Sequence, residues 1–326
     1  MAIPRLTTVT LRRALLFLID IGVPFGAALA LGRPGGAALA CVSGLLLSFA
    51  DQDGPLRNRY VILAMVAAGM TAGAIIGATL HGFPWPLWLL FIAGTFASSA
   101  FLGIGKAPVL TARFFAMALV VASGGPTPQL AELWFPAAAL ATAAIARTVD
   151  HWLAGPLPHL RGGAARDPHH WKRFAIAYTC AVAASLWIGL MIDPSRALWV
   201  VVTAMVVMQP DARASYVRIA ERIAGTVLGV VAAFALTSIV HSVWALGAAV
   251  LLIAALIPHH LQHRYWLHTA LIALLVLLVY DLAETDPLLM HGLFVERLQD
   301  MLVGCGFALV GTVVAFPRKA PPQTDD

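Results

Sequence analysis

The stretch RALLFLID at residues 13–20, followed by LGRPGGAALACVSGLLLSFAD at 31–51, is echoed by RFAIAYTC at 173–180 and MIDPSRALWVVVTAMVVMQPD at 191–211. A constant offset of 160 residues places Arg13 on Arg173, Pro34 on Pro194, Ala37 on Ala197 and Asp51 on Asp211. An apolar run with a GxxxG pattern follows each copy. Two like halves in apolar sequence are typical of transporters and channels, whose substrate path lies where the repeats meet.

Composition identifies the class of protein. The chain has 326 residues, of which 60% are hydrophobic and 11% charged, and its mean hydropathy is +0.84. A soluble domain carries about 25% charged residues, so we predict an all-α polytopic membrane protein. The net charge of +5 sits in segments between apolar runs and indicates orientation rather than nucleic-acid binding.

Apolar runs of about 20 residues mark the membrane spans. We predict about twelve transmembrane helices in two parallel six-helix repeats, although counts of ten or eleven remain open. The predicted spans are roughly 14–32, 35–50, 60–80, 86–104, 107–124, 133–149, 174–192, 196–209, 223–240, 243–258, 265–280 and 293–316.

Twelve spans with both termini inside give a strong charge asymmetry. The predicted inner loops carry eleven lysine and arginine residues, whereas Arg33 and Arg196 are nearly the only ones outside. This is the bias that the positive-inside rule requires. We therefore predict a multi-pass protein with cytoplasmic termini and no cleaved signal peptide.

The repeat also sets the predicted domain organisation. Residues 1–153 form the first membrane repeat, 154–172 a basic linker rich in proline and glycine, and 173–318 the second repeat. No segment is long enough for a soluble catalytic domain, and no nucleophile cluster is visible. We therefore predict no catalytic residues, and a membrane-embedded lipid enzyme is the least favoured alternative.

One segment of the second repeat resembles a known family. Residues 197–211, ALWVVVTAMVVMQPD, precede RIAER at 218–222 and GTVLG at 225–229. A tryptophan-bearing span that ends in Gln-Pro, an arginine-rich helix start and Gly-Thr-x-x-Gly, in that order, resemble the fusaric acid resistance protein-like family. That family includes aromatic acid exporters and is related to plant malate channels. This chain departs from the longer exporters, which carry a large cytoplasmic domain.

Ionisable residues at membrane depth are costly and therefore need a reason. Asp20 lies in the first predicted span, four residues before Pro24, which is expected to kink the helix. It is a candidate proton or ion site, or else a structural carboxylate paired with another span. Arg113, in the fifth span, is expected to neutralise Asp20 or to bind a substrate carboxylate; snorkelling to the interface is the alternative.

A second set of charges opens the ninth predicted span. Arg218 and Arg222 lie four residues apart on one helix face, with Glu221 beside them. Together with the positive end of the helix dipole they are expected to attract an anion. Setting the topology is the alternative role. Near the start of the last span, Arg297 and Asp300 form a candidate pathway pair or a structural ion pair, and the matching residues of the first half, Ala137 and Leu140, are apolar.

The small residues of the GxxxG patterns are predicted to pack helices closely. Gly69, Gly73, Gly225 and Gly229 would let helix backbones approach. Thr226 between the latter two is a candidate for an interhelical hydrogen bond or a substrate contact. The PHHLQH segment at 258–263 lacks the further ligands that a metal site needs, so we predict no metal and no cofactor.

The two repeats predict a transporter, and the family resemblance implies that it exports aromatic or other organic acids across a bacterial inner membrane, driven by the proton motive force. The alternative is a passive organic-anion channel, which the malate-channel resemblance allows. The expected partners are a small organic anion and membrane lipid. A periplasmic adaptor protein and a homo-oligomer are open, and nucleic acid is excluded.

Overall fold

A computed structural model describes residues 8–51, 54–80, 82–102, 104–124, 134–157, 171–193, 197–260, 264–283 and 287–317. These residues form twelve α-helices and no strand beyond one isolated bridge. The helices are α1 Thr8–Ala30, α2 Pro34–Ala50, α3 Leu56–Thr79, α4 Pro84–Ala100, α5 Lys106–Gly124, α6 Trp134–Ala154, α7 Trp171–Ile192, α8 Ala197–Val207, α9 Ala212–Ile239, α10 Val243–His260, α11 Tyr265–Ala283 and α12 Pro287–Ala315.

The all-α membrane fold is confirmed. Seven helices of the described residues are long and apolar enough to cross a membrane, namely α1, α3, α5, α7, α9, α11 and α12. Helices α2, α8 and α10 are apolar but shorter. Proline begins α2, α4 and α12, because its fixed φ suits the first turn of a helix and its missing N–H costs nothing there.

Helix α9 begins eleven residues earlier than predicted. The carboxylate of Asp211 accepts a hydrogen bond from the backbone N–H of Ala214 at 2.7 Å and so caps the helix. The predicted start at 223 followed the apolar run and placed the arginines before it in a loop. Arg218 and Arg222 instead lie within the helix.

Helix pairing in the first half recurs in the second half with each helix number raised by six. Helix α1 packs on α2 and α6 as α7 packs on α8 and α12, and α3 packs on α5 as α9 packs on α11. The contacts between the halves also occur in equivalent pairs, in which each helix is replaced by its counterpart in the other half. Helix α1 packs on α10 as α7 packs on α4, and α2 packs on α11 as α8 packs on α5. A pseudo-two-fold relation between two six-helix halves accounts for every one of these pairs.

The contact of α1 with α10 and the equivalent contact of α7 with α4 run in the same sense. Leu29, near the end of α1, lies beside Gly247, near the start of α10. In the equivalent contact, Trp187 near the end of α7 faces Trp85 and Trp88 at the start of α4 across an apolar cleft of about 450 Å³. This is the arrangement expected of parallel repeats related by an axis along the membrane normal.

The predicted linker, 154–172, is packed where it begins. Leu157 is buried, and its carbonyl accepts a hydrogen bond from the N–H of Gly54 at 2.8 Å. At its other end the helix α7 already starts at Trp171. Residues 158–170 and Pro194 lie outside the described part of the chain.

Candidate functional site

Buried charged side chains form one network in the first half. Asp20 of α1 and Arg147 of α6 are both fully buried, and they form a two-fold hydrogen-bonded ion pair with N–O distances of 3.1 and 2.9 Å. The hydroxyl of Ser48 on α2 donates a further hydrogen bond to Asp20 at 2.9 Å. Each oxygen of the Asp20 carboxylate therefore has a partner.

The network continues through Asp51, which follows α2. Arg147 Nε lies 3.3 Å from Asp51 Oδ1, and Arg59 of α3 donates to both Asp51 oxygens at 2.9 and 2.6 Å. Arg59 also donates to Asp150 of α6 at 2.9 Å, and Arg12 of α1 donates to Asp150 at 2.8 and 3.0 Å. Three carboxylates thus alternate with three guanidinium groups, and together they tie α1, α2, α3 and α6.

The expected partner of Asp20 was wrong. The residue that neutralises Asp20 is Arg147, whereas Arg113 is half-buried on α5 and its Nε has no hydrogen-bond partner among the described residues. Sequence reasoning did not single out Arg147, although it fell in the predicted sixth span, where an arginine is unusual. The depth of a charge in an apolar run was the signal that could have found it.

The second half buries a different cluster. Arg222 lies ten residues inside α9, and Arg297 and Asp300 lie one turn apart on α12. Their side chains are nine-tenths or more buried, at 5%, 5% and 3% exposure. The charges of Arg222 and Asp300 both act on Arg297, and the charge of Arg222 also reaches Cys305 on α12. The structure thus joins two sets of residues that the sequence treated separately.

Several donors in this cluster are unfilled. Arg222 Nε and the Nε and Nη1 of Arg297 are buried and have no hydrogen-bond partner among the described residues. The hydroxyls of Thr226, one turn along α9 from Arg222, and of Thr203 on α8 are buried and unfilled as well. Because buried polar groups are nearly always hydrogen-bonded, these donors make the cluster a candidate site for a ligand that accepts hydrogen bonds.

The indole ring of Trp199 covers one face of the guanidinium group of Arg297. Its guanidinium carbon lies 4.2 Å from the centroid of the Trp199 ring, and Trp199 meets Tyr280 of α11 edge to face at 6.3 Å. A guanidinium group over an indole ring is a favourable cation–π contact. Trp199 belongs to the motif at 197–229 that carried the family resemblance.

Two other predicted residues of α9, Arg218 and Glu221, contact α11. Arg218 is half-buried and its guanidinium carbon lies 4.5 Å from the centroid of the Tyr265 ring on α11. Glu221 is half-buried, and its backbone carbonyl accepts a hydrogen bond from Thr269 of α11 at 3.3 Å. The anion site that the sequence predicts for Arg218 and Arg222 stays a prediction, and the charge of Arg222 also acts on Arg297 of α12.

The four GxxxG glycines lie at equivalent helix crossings. A Cβ atom at Gly69 would lie 2.8 Å from Thr111 Cγ2, and one at Gly73 would meet the carbonyl of Phe115, both on α5. A Cβ atom at Gly225 would collide with Thr269 and the carbonyl of Trp266, and one at Gly229 with the carbonyl of Ala270, all on α11. The packing role of these glycines stays a prediction, which the substitution Gly225→Leu tests.

The two halves differ in charge where they correspond in fold. With the offset of 160 residues, Asp20 corresponds to Cys180 and Ser48 to Met208. Most members of the ion-pair network of the first half have no charged counterpart in the second half. The buried charges of the second half, Arg222, Arg297 and Asp300, lie at other positions of the repeat. Among the described residues no group of three or more histidine, cysteine, aspartate or glutamate side chains could hold a metal ion, and the side chains of 259–263 lie outside this description.

Comparison with known proteins points to one family. The model of the family described as "Fusaric acid resistance protein-like" matches residues 180–311. Proteins named p-hydroxybenzoic acid efflux pump subunit AaeB, from Salmonella arizonae, Salmonella newport and Salmonella enteritidis, are each 27% identical to this chain over 174 residues. The matched region covers 47% of this chain and 25% of each relative.

This chain therefore matches about a quarter of the length of these curated relatives. No solved structure gives a significant match. The matched region contains α8, α9, α11 and most of α12, which carry Trp199, Arg222, Tyr280 and Arg297. The resemblance to the fusaric acid resistance protein-like family, which the motif at 197–229 indicated, is confirmed for residues 180–311.

Proposed function

We propose that this protein exports organic acids, aromatic monocarboxylates among them, across a bacterial inner membrane, and that it is not an enzyme. The observation that carries the proposal is the pair of buried guanidinium groups of Arg222 and Arg297 with unfilled donors. A carboxylate supplies the charge and the acceptor oxygens that such donors need, and charge-assisted hydrogen bonds are the strong ones. The names of the relatives support export as the direction.

The position of the cluster supports a path through the second half. Arg222 and Arg297 lie well inside long helices, and charged groups at such depth usually face an ion or substrate path. Trp199 beside Arg297 adds a flat apolar surface, on which an aromatic ring can stack. A substrate that carries a carboxylate on a ring would use both features.

The proton motive force can drive this export through its electrical component. A bound carboxylate leaves as an anion, and an inner membrane is negative inside, so the potential favours exit by about 2.3 kcal/mol per charge for each 100 mV. Such a cycle needs no carboxyl group that binds a proton. In the described residues Asp20 is already held by Arg147 and Ser48, which supports a structural role for it.

Partners and placement follow the same reasoning. The relatives are named as subunits, which supports a periplasmic adaptor protein as a further partner, alongside membrane lipid and a homo-oligomer. The basic residues between the predicted spans support cytoplasmic termini.

The test is transport by the purified protein in proteoliposomes. Vesicles loaded with labelled p-hydroxybenzoate and given a potassium diffusion potential, negative inside, should lose the label faster than empty-membrane controls. Arg297→Gln should abolish this efflux, whereas Arg213→Gln, which removes an exposed arginine of α9, should leave it intact. Efflux that Arg297→Gln does not change would refute the site.

The same vesicles separate an exporter from a passive channel. A carrier that alternates between two states should exchange labelled for unlabelled substrate faster than it loses net label. In a passive channel, unlabelled substrate on the opposite side of the membrane should not accelerate the loss of label.

A further inference from the structure

The helices pack as two bodies that do not coincide with the two halves of the sequence. In the first body, α7 packs on α4, α8 and α12, and α5 packs on α3, α4 and α8. In the second, α1 packs on α10, α2 and α6, and α11 packs on α9, α10 and α2. We name them the α4–α7 body and the α1–α10 body, after the contacts that join the halves. Each body contains three helices from each half, and the pseudo-two-fold relation exchanges the bodies.

The hydrophobic cores follow the same division. Apart from Ala50 and Ile219, the buried residues of one large core come from the α4–α7 body. The buried residues of the other large core come from α1, α2, α6, α10 and α11 of the α1–α10 body. A unit with a core of its own can move as one piece against its neighbour. The cores therefore identify the bodies, rather than the sequence halves, as the units of such a movement.

Two smaller apolar clusters join the bodies at equivalent places. One cluster joins α9 to α12, where the rings of Phe234 and Phe294 meet edge to face at 5.7 Å. The other joins α6 to α3 around Leu63. Beside this second cluster, the buried guanidinium group of Arg59 on α3 pairs with Asp51 and Asp150 of the α1–α10 body at 2.6 and 2.9 Å. Separation there would leave buried charges without partners, which is costly, so the α3–α6 contact suits a pivot.

The candidate site lies at the boundary between the bodies. Arg297 and Trp199 belong to the α4–α7 body, and Arg222 and Tyr280 belong to the α1–α10 body. The rings of Trp199 and Tyr280 meet across the boundary, with their centroids 6.3 Å apart. Movement of one body against the other would therefore change the shape and the access of the site.

We propose that the protein is an alternating-access carrier in which the two bodies rock against each other about the α3–α6 contact. In this motion α9 shifts along α12 and opens the site to one side of the membrane at a time, as transporters with a site between two bundles do. The inference rests on the proposed function, because it assigns the transport cycle of the same site. The moving units are then the mixed bodies and not the two sequence repeats.

Reversible cross-links between cysteine pairs test the proposal. In a background with Cys180→Ala, which removes the exposed cysteine, Phe234→Cys/Phe294→Cys places a pair across the boundary. The control pair Phe174→Cys/Phe316→Cys lies within the α4–α7 body, where the two native rings are 6.1 Å apart. A short bifunctional thiol reagent closes each pair, and a reductant opens it again. Export of labelled p-hydroxybenzoate from proteoliposomes is measured before cross-linking, after it and after reduction.

We expect the cross-link between α9 and α12 to lower export by at least about tenfold, because a packed boundary moves between discrete arrangements rather than deforming. Reduction should restore export, and the control cross-link should leave it unchanged. If the boundary pair does not yield active protein before cross-linking, spin labels at exposed positions replace it. Labels at Trp85 on α4 and Trp244 on α10 report on both bodies, whereas labels at Trp85 and Val313 on α12 report on one. Saturating p-hydroxybenzoate should change the distance distribution of the first pair and not of the second.

The outcomes are distinct. Full export with α9 cross-linked to α12, or an unchanged distance between the labels at Trp85 and Trp244, would overturn the motion while export of organic acids would stand. Equal inhibition by the control cross-link, or an equal change in the control distance, would show that the moving units are not these bodies. Failure of the wild-type protein to export p-hydroxybenzoate would overturn the proposed function and this inference with it.

Discussion

The guanidinium group of Arg297 lies against the indole ring of Trp199, with 4.2 Å between the guanidinium carbon and the ring centroid. The two residues come from α12 and α8, which pack directly on each other. The ring covers one face of the guanidinium group while Nε and Nη1 remain without partners among the described residues. A carboxylate would therefore reach Arg297 at its edge, with the ring beside it.

We expect Trp199→Leu to weaken binding of p-hydroxybenzoate by about twofold to thirtyfold, because a cation–π contact contributes about 0.5–2 kcal/mol. Trp199→Phe should retain part of the affinity, since it keeps an aromatic face. Calorimetric titration of the purified variants measures both. Trp244→Leu, at an exposed tryptophan of α10, is the matched control, and a loss of affinity there would show that the effect is unspecific.

The ion pair of Asp20 and Arg147 should stabilise the first half only as a pair. Arg147→Gln leaves a fully buried carboxylate without its main partner, and removal of one member of a buried pair costs about 3–5 kcal/mol. The double variant Asp20→Asn/Arg147→Gln should recover much of the loss. Thermal unfolding in detergent compares the three proteins, and a double variant less stable than Arg147→Gln would contradict the pairing.

Asp20→Asn also separates two ways of driving export. If the membrane potential drives the anion, folded Asp20→Asn should export p-hydroxybenzoate against its gradient at close to the wild-type rate. If Asp20 carries a proton in each cycle, uphill export should disappear while exchange of labelled for unlabelled substrate survives. Both rates are measured in the same proteoliposomes and normalised to folded protein.

Gly225→Leu should lower the yield of folded protein and its thermal stability, because a side chain there would collide with Thr269 and the backbone of Trp266. Overpacking of this kind costs about 1–3 kcal/mol or more. Gly306→Leu on α12 is the matched control, since nothing lies within 4 Å of a Cβ atom built at Gly306. Equal stability of the two variants would remove the packing role assigned to Gly225.

The helices could be predicted from the sequence because most apolar runs are long enough to indicate a membrane span. The ends of the helices could not, because they depend on local capping interactions that hydropathy does not detect. Asp211 caps α9 and allows the helix to begin while the sequence is still polar and basic. As a result Arg222, which was predicted at the end of a loop, lies buried inside the helix bundle.

The candidate site could be predicted only in part. Arg222, Arg297 and Asp300 were identified because charges are rare at membrane depth. Their meeting was not predictable, since a residue of α9 and residues of α12 are brought together by tertiary packing. The prediction of the partner of Asp20 failed for the same reason. The rotation of α6 about its own axis decides that Arg147 faces inward, and a single sequence does not fix that rotation.

Asp20 and Arg147 lie 127 residues apart in the chain. A ribosome therefore delivers α1 to the translocon long before α6 exists, and during that interval the carboxylate of Asp20 lacks its counter-charge. A lone carboxylate is costly in lipid, so we expect α1 to reach its final position only after α6 has been synthesised. We therefore expect the helices of the first half to pack together late in its synthesis.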